Sequence, residues 1–375
     1  MHIGGTNGKG SVSAMTYAAL REAGRPVGLY TSPHLVDVRE RIVVDERPIG
    51  REAFTGWTER LRPAIERTGA SCFEALTAIA LADFAARQVE IAVVEVGLGG
   101  RLDSTNVVQP VASAVTTIAR EHTEYLGDTL PAIAREKAGI AKRSTPFVIG
   151  EADPAIAAVL AEVARECGAG PVVSVPPNAE YGGSLGLRGP HQRRNGAIAA
   201  AVLDALPEPW RPSQAALATG FSRASLAGRF DCRGRWIFDV AHNPAGLGVL
   251  IEALGEAVPG RPVHALVGIL ADKAWPEMLA ALGRVVDRVW LTTPPNAPPE
   301  RRWDLVEVGR AVGWVGDLDT VLPPDRLTAR PPVIEPDFDR ALREVQQGAG
   351  TVLVTGSFHT VGDALARLPG FAPLG

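Results

Sequence analysis

The sequence predicts an α/β protein of two domains, and three observations carry that expectation. Short apolar, β-branched runs alternate with longer helical patterns along all 375 residues, the signature of a mainly parallel sheet covered by helices on both faces. A glycine-rich stretch, Gly5-Thr6-Asn7-Gly8-Lys9-Gly10-Ser11, joins the first such run to the first helical pattern. A small-residue break, ASLAGR at 224–229, interrupts the alternation, which then begins again.

In chain order, MHI is a minimal first strand, and SVSAMTYAALREAG after the glycine loop has a helical pattern. Strands are then predicted at VGLY (27–30), IAVVEV (91–96), VASAVTTIA (111–119), PFVIG (146–150) and PVVSV (171–175), with helical stretches between most of them. Past the break, WIFDVAH, VHALVGIL, RVWLTT, PPVIEP and TVLVTGS supply five more candidates. The expected domains are 1–224 and 229–375. TTPPNAPPERR at 292–302 is a proline-rich loop within the second, because strand and helix signals resume beyond it.

Composition narrows the function classes. Hydrophobic residues at 46% and charged residues at 21% describe a globular chain with ample core material. The net charge is −4 and no basic run occurs, so the electrostatic case for nucleic acid is missing and small-molecule partners are expected. Cys72, Cys167 and Cys232 are far apart, without zinc-site or disulfide spacing. No apolar run reaches membrane-spanning length and the N-terminus lacks a signal-peptide pattern. Cytoplasmic residence without membrane contact is the expectation.

The glycine loop is shaped for phosphate. Glycines let the backbone approach an anion with its N–H groups turned inward, and the helix that follows adds the positive end of its dipole. Thr6, Asn7, Gly8, Lys9, Gly10 and Ser11 are the candidate contacts. Lys9 would reach the β- and γ-phosphates, and Ser11 a phosphate oxygen or a metal. Gly10 separates Lys9 from Ser11, one residue off the usual phosphate-loop register. A ligand-free glycine turn is the bland alternative.

In a parallel sheet Ser32, Glu95 and His122 would follow neighbouring strands, at the carboxyl edge where such sheets bind ligands. Glu95 interrupts an apolar strand; a carboxylate there is costly unless it meets a cation. Magnesium beside nucleotide phosphates is the natural one, and a salt bridge is the alternative. An imidazole ligand from His122 would be unusual for magnesium. Lys137 reads by itself as one lysine on a helix over 129–141, on a solvated face.

The succession GTNGKGS (5–11), YTSPHL (30–35), ERI (40–42), EVGLGGRLDSTN (95–106), EHTEYLG (121–127), REKAGI (135–140), GRF (228–230), FDVAHNP (238–244) and GSFHTV (356–361) strongly resembles the folylpolyglutamate synthases and dihydrofolate synthases of the Mur ligase superfamily, over nearly the whole chain. The resemblance implies an N-terminal P-loop ATPase-like domain, a smaller C-terminal Rossmann-like domain and a cytoplasmic monomer. It implies ATP-dependent ligation of L-glutamate to dihydropteroate or to a reduced folate through an acyl phosphate. It also implies ATP and two magnesium ions as cofactors, with Ser32, Glu95 and His122 as metal ligands and Lys137 carbamylated to help hold the second ion. Asn195, Arg229, Asp239 and His242 match nucleotide contacts. Lys9, Lys137, Arg229 and His242 match catalytic positions, while His242 and Ser357 match positions near the incoming glutamate. Arg41, Phe73, Asp103 and Ser104 match the acceptor side, Phe73 as an aromatic that stacks on the pterin. Their bland readings are a helix N-cap for Asp239, turn and cap residues for His242 and Ser357, and a core residue for Phe73.

Departures from the pattern are expected to matter. Relatives carry several dozen residues ahead of the loop, and Asp37, Arg39 and Ala274 stand where other residue types are usual. A ligase acting on a different carboxylic acid is therefore the second reading, and a nucleotide-binding protein without ligation the third.

Overall fold

The structure is a computed structural model that describes residues 1–257, 261–311 and 332–372. Its residues fall into two compact units. The first comprises residues 1–34, 38–187 and 192–226; the second comprises 35–37, 188–191 and 227 onward.

The first unit is built on eight strands: β1 (His2–Gly4), β2 (Val27–Tyr30), β3 (Ile42–Val44), β4 (Arg47–Pro48), β5 (Ile91–Glu95), β6 (Ser113–Val115), β7 (Phe147–Ile149) and β8 (Val172–Ser174). Their order is β4-β3-β2-β5-β1-β6-β7-β8. The β2–β3 and β3–β4 pairs are antiparallel and all others are parallel. Parallel strands buried on both faces need continuous apolar sequence, which β5, β6 and β7 supply. Met15, Leu20, Ile198 and Phe221, from three helices, cover one part of the sheet, and Ile133, Leu160 and Ala164 another.

The second unit carries β9 (Asp231–Arg233), β10 (Trp236–Phe238), β11 (Val263–Val267), β12 (Arg288–Leu291), β13 (Val333–Ile334) and β14 (Thr351–Thr355), ordered β13-β12-β11-β14-β10-β9 with only β9 antiparallel. Leu247, Met278 and Leu305 belong to one core cluster, and Phe338, Leu342 and Val361 to another. Among the described residues no helix is long and apolar enough to cross a membrane.

Several expectations are corrected. The strand predicted over 111–119 ends at Val115, because Thr116 and Thr117 turn away to bond the glycine loop. The hairpin β3–β4 and the edge strand β9 were not predicted, since two- and three-residue strands carry no periodicity. The helix expected over 129–141 spans Leu130–Ala138. Lys137 is not on a solvated face but 4% exposed. Pro331, first in the predicted PPVIEP run, lies outside the described residues.

Candidate active site

The glycine loop connects β1 to the helix Lys9–Glu22 and is held by the segment after β6. Thr6 N–H donates to Thr117 O at 2.6 Å, and the Thr116 and Thr117 hydroxyls donate to Asn7 O at 2.7 and 3.1 Å. Ala119 N–H donates to Thr6 Oγ1 at 3.0 Å. The loop has no room for side chains at two of its glycines. A Cβ on Gly5, whose φ is 135°, would lie 2.0 Å from Thr116 Oγ1, and one on Gly8, with φ 87°, 2.6 Å from Asn195 Oδ1. Asn195 is buried on the helix His191–Asp204, its Nδ2 donating to Gln192 Oε1 at 3.0 Å. Packing thus brings Asn195 against the loop from a distance of almost two hundred residues.

Glu95, the last residue of β5, is 3% exposed. Its Oε2 accepts the Ser32 backbone N–H at 3.1 Å, so Ser32 and Glu95 are brought together. Its Oε1 lies 3.8 Å from where a Cβ on Gly10 would stand, which puts the carboxylate at the positive end of the helix Lys9–Glu22. A buried carboxylate beside the glycine loop is a hard oxygen donor of the kind magnesium takes. His122, with φ 51°, precedes the short helix Thr123–Leu126, its side chain 38% exposed and Nε2 3.7 Å from Glu121 Oε1. Among the described residues no three His, Cys, Asp or Glu side chains form a metal-holding group.

Lys137 reaches the loop from the helix Leu130–Ala138, donating to Gly5 O at 2.9 Å. Burial, and after it the charge of Lys9, pulls its amine down to about 7, with Glu121 and Asp103 opposing. Lys9 Nζ donates to the carbonyls of Gly5 and Thr6 at 3.1 and 3.0 Å.

The acceptor-side candidates also converge. Phe73, second residue of the helix Cys72–Ala86, has its ring 6.0 Å from that of Tyr30, stacked at 28°. A Cβ on Gly97 would lie 2.4 Å from Phe73 Cζ and 3.1 Å from Asp103 Oδ2, so a glycine is what lets ring and carboxylate border one space. Ser104 Oγ is 2.7 Å from Thr77 Oγ1, which donates to Phe73 O at 2.9 Å. Arg41 donates to His34 Nδ1 at 2.9 Å. Burial pulls its guanidinium below the usual range, while Tyr30, Cys72, Glu95 and Glu40 act in the opposite direction.

In the second unit Phe358 gathers the candidates: Arg229 Cζ lies 4.9 Å and the His242 ring 5.6 Å from its ring centroid. His242 Nδ1 is 2.9 Å from Val240 O. Asp239 is not a helix N-cap: it accepts the Phe230 and Ala241 N–H groups at 2.8 and 2.9 Å, and Asn243 Oδ1 accepts from Gly246 N–H at 2.7 Å in the first turn of the following helix. Burial pushes the Asp239 carboxyl up and Arg229 opposes it. Ser357 caps the helix Phe358–Arg367, its Oγ accepting the Thr360 N–H at 3.1 Å.

Residues 3–195 match the Mur ligase middle domain and 228–358 the Mur ligase, glutamate ligase domain. The chain belongs to the Mur ligases. Within that superfamily it is of the folylpolyglutamate synthase/dihydrofolate synthase kind. Escherichia coli FolC in complex with DHPP and ADP superposes with a TM-score of 0.83 at 30% identity, covering 97% of this chain and 87% of that one. A bifunctional folylpolyglutamate synthase/dihydrofolate synthase with Mn, AMPPNP and L-glutamate bound gives 0.81 at 30% identity, covering 97% and 88%. A probable bifunctional folylpolyglutamate synthase/dihydropteroate synthase of Halobacterium salinarum is 37% identical over 78% of this chain, which spans 39% of that protein's length.

In this Mur ligase, sequence reasoning missed the residues that hold the site rather than form it. Thr116 and Thr117 fall within the run predicted as a strand, and two polar residues toward the end of that run are the signal that marks them. Gly97 lies within EVGLGGRLDSTN, but that a phenylalanine twenty-four residues earlier packs against it is a property of the fold and carries no local signal.

Proposed function

We propose that this chain ligates L-glutamate to dihydropteroate, to a reduced folate, or to both, at the expense of ATP. The acceptor carboxylate attacks the γ-phosphorus of ATP, giving an acyl phosphate and ADP. The glutamate amine then adds to the acyl carbon, phosphate leaves, the nitrogen loses its proton, and an amide remains. A carboxylate has no adequate leaving group of its own, which is why phosphorylation must come first. The relatives solved with ADP and with AMPPNP, Mn and L-glutamate support this reading over an unrelated acceptor or a non-ligating binder.

Lys9 and the loop N–H groups hold the β- and γ-phosphates, Asn195, Arg229 and Asp239 contact the nucleotide, and His242 and Ser357 receive glutamate. Arg229 suits a γ-phosphate whose charge is redistributed during transfer. Ser32, Glu95, His122 and carbamylated Lys137 would hold two magnesium ions, which when bound neutralise phosphate charge. Phe73, Asp103, Ser104 and Arg41 place the acceptor acid. The protein acts as a cytoplasmic monomer without nucleic-acid or membrane partners, in keeping with its net charge of −4.

The observation that carries the reading is the shared carboxyl sheet edge: Glu95 ends β5 beside the phosphate loop, while Gly97, just beyond it, borders Phe73 and Asp103. The test incubates the protein with MgATP and L-glutamate, adding dihydropteroate to one tube and tetrahydrofolate to another. Glutamate-dependent ADP and a product heavier by one glutamate residue are expected; their absence from both tubes refutes the proposal.

A further inference from the structure

Asp103 is held by a hydrogen-bond chain that begins in another element. Its Oδ1 accepts both the Thr105 N–H, at 2.9 Å, and the Thr105 hydroxyl, and its Oδ2 accepts the Leu98 N–H at 2.8 Å. Thr105 Oγ1 in turn stands 2.8 Å from His2 Nε2, and both residues are 0% exposed. A carboxylate only accepts, so the single Thr105 hydroxyl proton is committed to Asp103, and the imidazole must donate through Nε2. Burial, then nearby positive charge, pulls His2 down to about 3. The ring is neutral, and its Nδ1 has no partner among the described residues.

We infer that Thr105 and His2 are positioning residues for the acceptor acid: they commit Oδ1 of Asp103 to the protein and leave the remaining lone pair of Oδ2 to receive a ring N–H. Three of the roughly four acceptor positions of a carboxylate are filled by Thr105 and Leu98. The fourth is on Oδ2, the oxygen that borders the Phe73 ring across Gly97. The proposed acceptor carries a flat ring with N–H donors, and an N–H of that ring is what the remaining lone pair of Oδ2 would accept. His2 belongs to β1, which leads straight into the phosphate loop, so one strand orients both the loop and the acceptor carboxylate. The inference rests on the reading of Asp103 as an acceptor-side residue.

The test compares T105V, T105S and D103N in steady-state assays with dihydropteroate, L-glutamate and MgATP. T105V is expected to raise the KM for dihydropteroate about tenfold, the scale of one misdirected charge-assisted hydrogen bond, with the ATP KM and kcat within about twofold. T105S, which keeps the hydroxyl, is expected to restore the wild-type value. An unchanged dihydropteroate KM in T105V, with D103N raising it, overturns the inference and leaves the acceptor-side reading standing. An unchanged KM in D103N overturns that reading and the inference with it. A parallel loss in kcat and in both KM values, unrescued by T105S, reduces Thr105 to a folding role and overturns the inference. Nitrogen-15 spectra of the wild-type protein give an independent readout: the proton on His2 is expected at Nε2, and a proton on Nδ1 breaks the chain.

Discussion

Lys137 and Lys9 donate to one acceptor, the carbonyl oxygen of Gly5, at 2.9 and 3.1 Å. Burial first, and then the neighbouring charge of Lys9, draws Lys137 down to about 7, far below an ordinary lysine. A neutral amine is what carbon dioxide needs to form a carbamate. Lys137→Ala is expected to lower kcat by about a hundredfold or more, the scale of losing one charge-positioning group. Short carboxylic acids should restore part of that activity by standing in for the proposed carbamate. Failure of every such acid, with activity insensitive to removal of carbon dioxide, would refute the modification.

Gly5→Ala should damage the loop through geometry alone. The added methyl would lie 2.0 Å from Thr116 Oγ1 at a φ of 135°, and a loss of about 2 kcal/mol or more is expected. Gly56→Ala is the control, because nothing lies within 4 Å of that position in the helix Arg51–Thr68; it should stabilise by about 0.5–1 kcal/mol. Thermal melts with and without MgATP check both, and a Gly5→Ala protein as stable as wild type would contradict the packing.

Glu95→Ala removes a carboxylate that is 3% exposed at the end of β5. Turnover should fall by about 10²–10³-fold, and the variant should need far more magnesium, while its melting temperature stays close to that of wild type. A magnesium titration superimposable on the wild-type curve would remove Glu95 from the metal site.

His2 titrates at about 3 when folded and near 6.5 when free. Between those values the unfolded chain holds a proton that the folded protein does not. Its contribution to stability is therefore complete above pH 6.5 and is lost progressively as pH falls toward 3. Denaturant melts of His2→Gln, whose amide can still donate to Thr105, should lose less stability on acidification than wild type. Parallel pH curves would refute the burial of a neutral ring.

Much of the fold was legible because its signals are local. Strands such as IAVVE are mostly apolar, and the carboxyl-end positions of Ser32 and Glu95 followed from their places just beyond and at the end of their own strands. Two-residue β4 and the Thr116–Thr117 clamp were not legible, since neither has a period and each is specified by what it bonds. Lys137 shows the limit most clearly. Its text, REKAGI, is that of any helix surface, and only the burial of its helix against the phosphate loop distinguishes it.

By itself, then, the sequence determined the α/β class, the glycine loop between β1 and the first helix and the place of Glu95 at the end of a buried strand, because backbone conformation and hydrophobic period are written in neighbouring residues. Tertiary structure decided the rest. It brought Asn195 to Gly8, Lys137 to Gly5 and His2 to Asp103 through Thr105. These pairings depend on which groups share a buried space, where unmet hydrogen bonds and unscreened charges are costly, and that is a property of packing rather than of any stretch of chain.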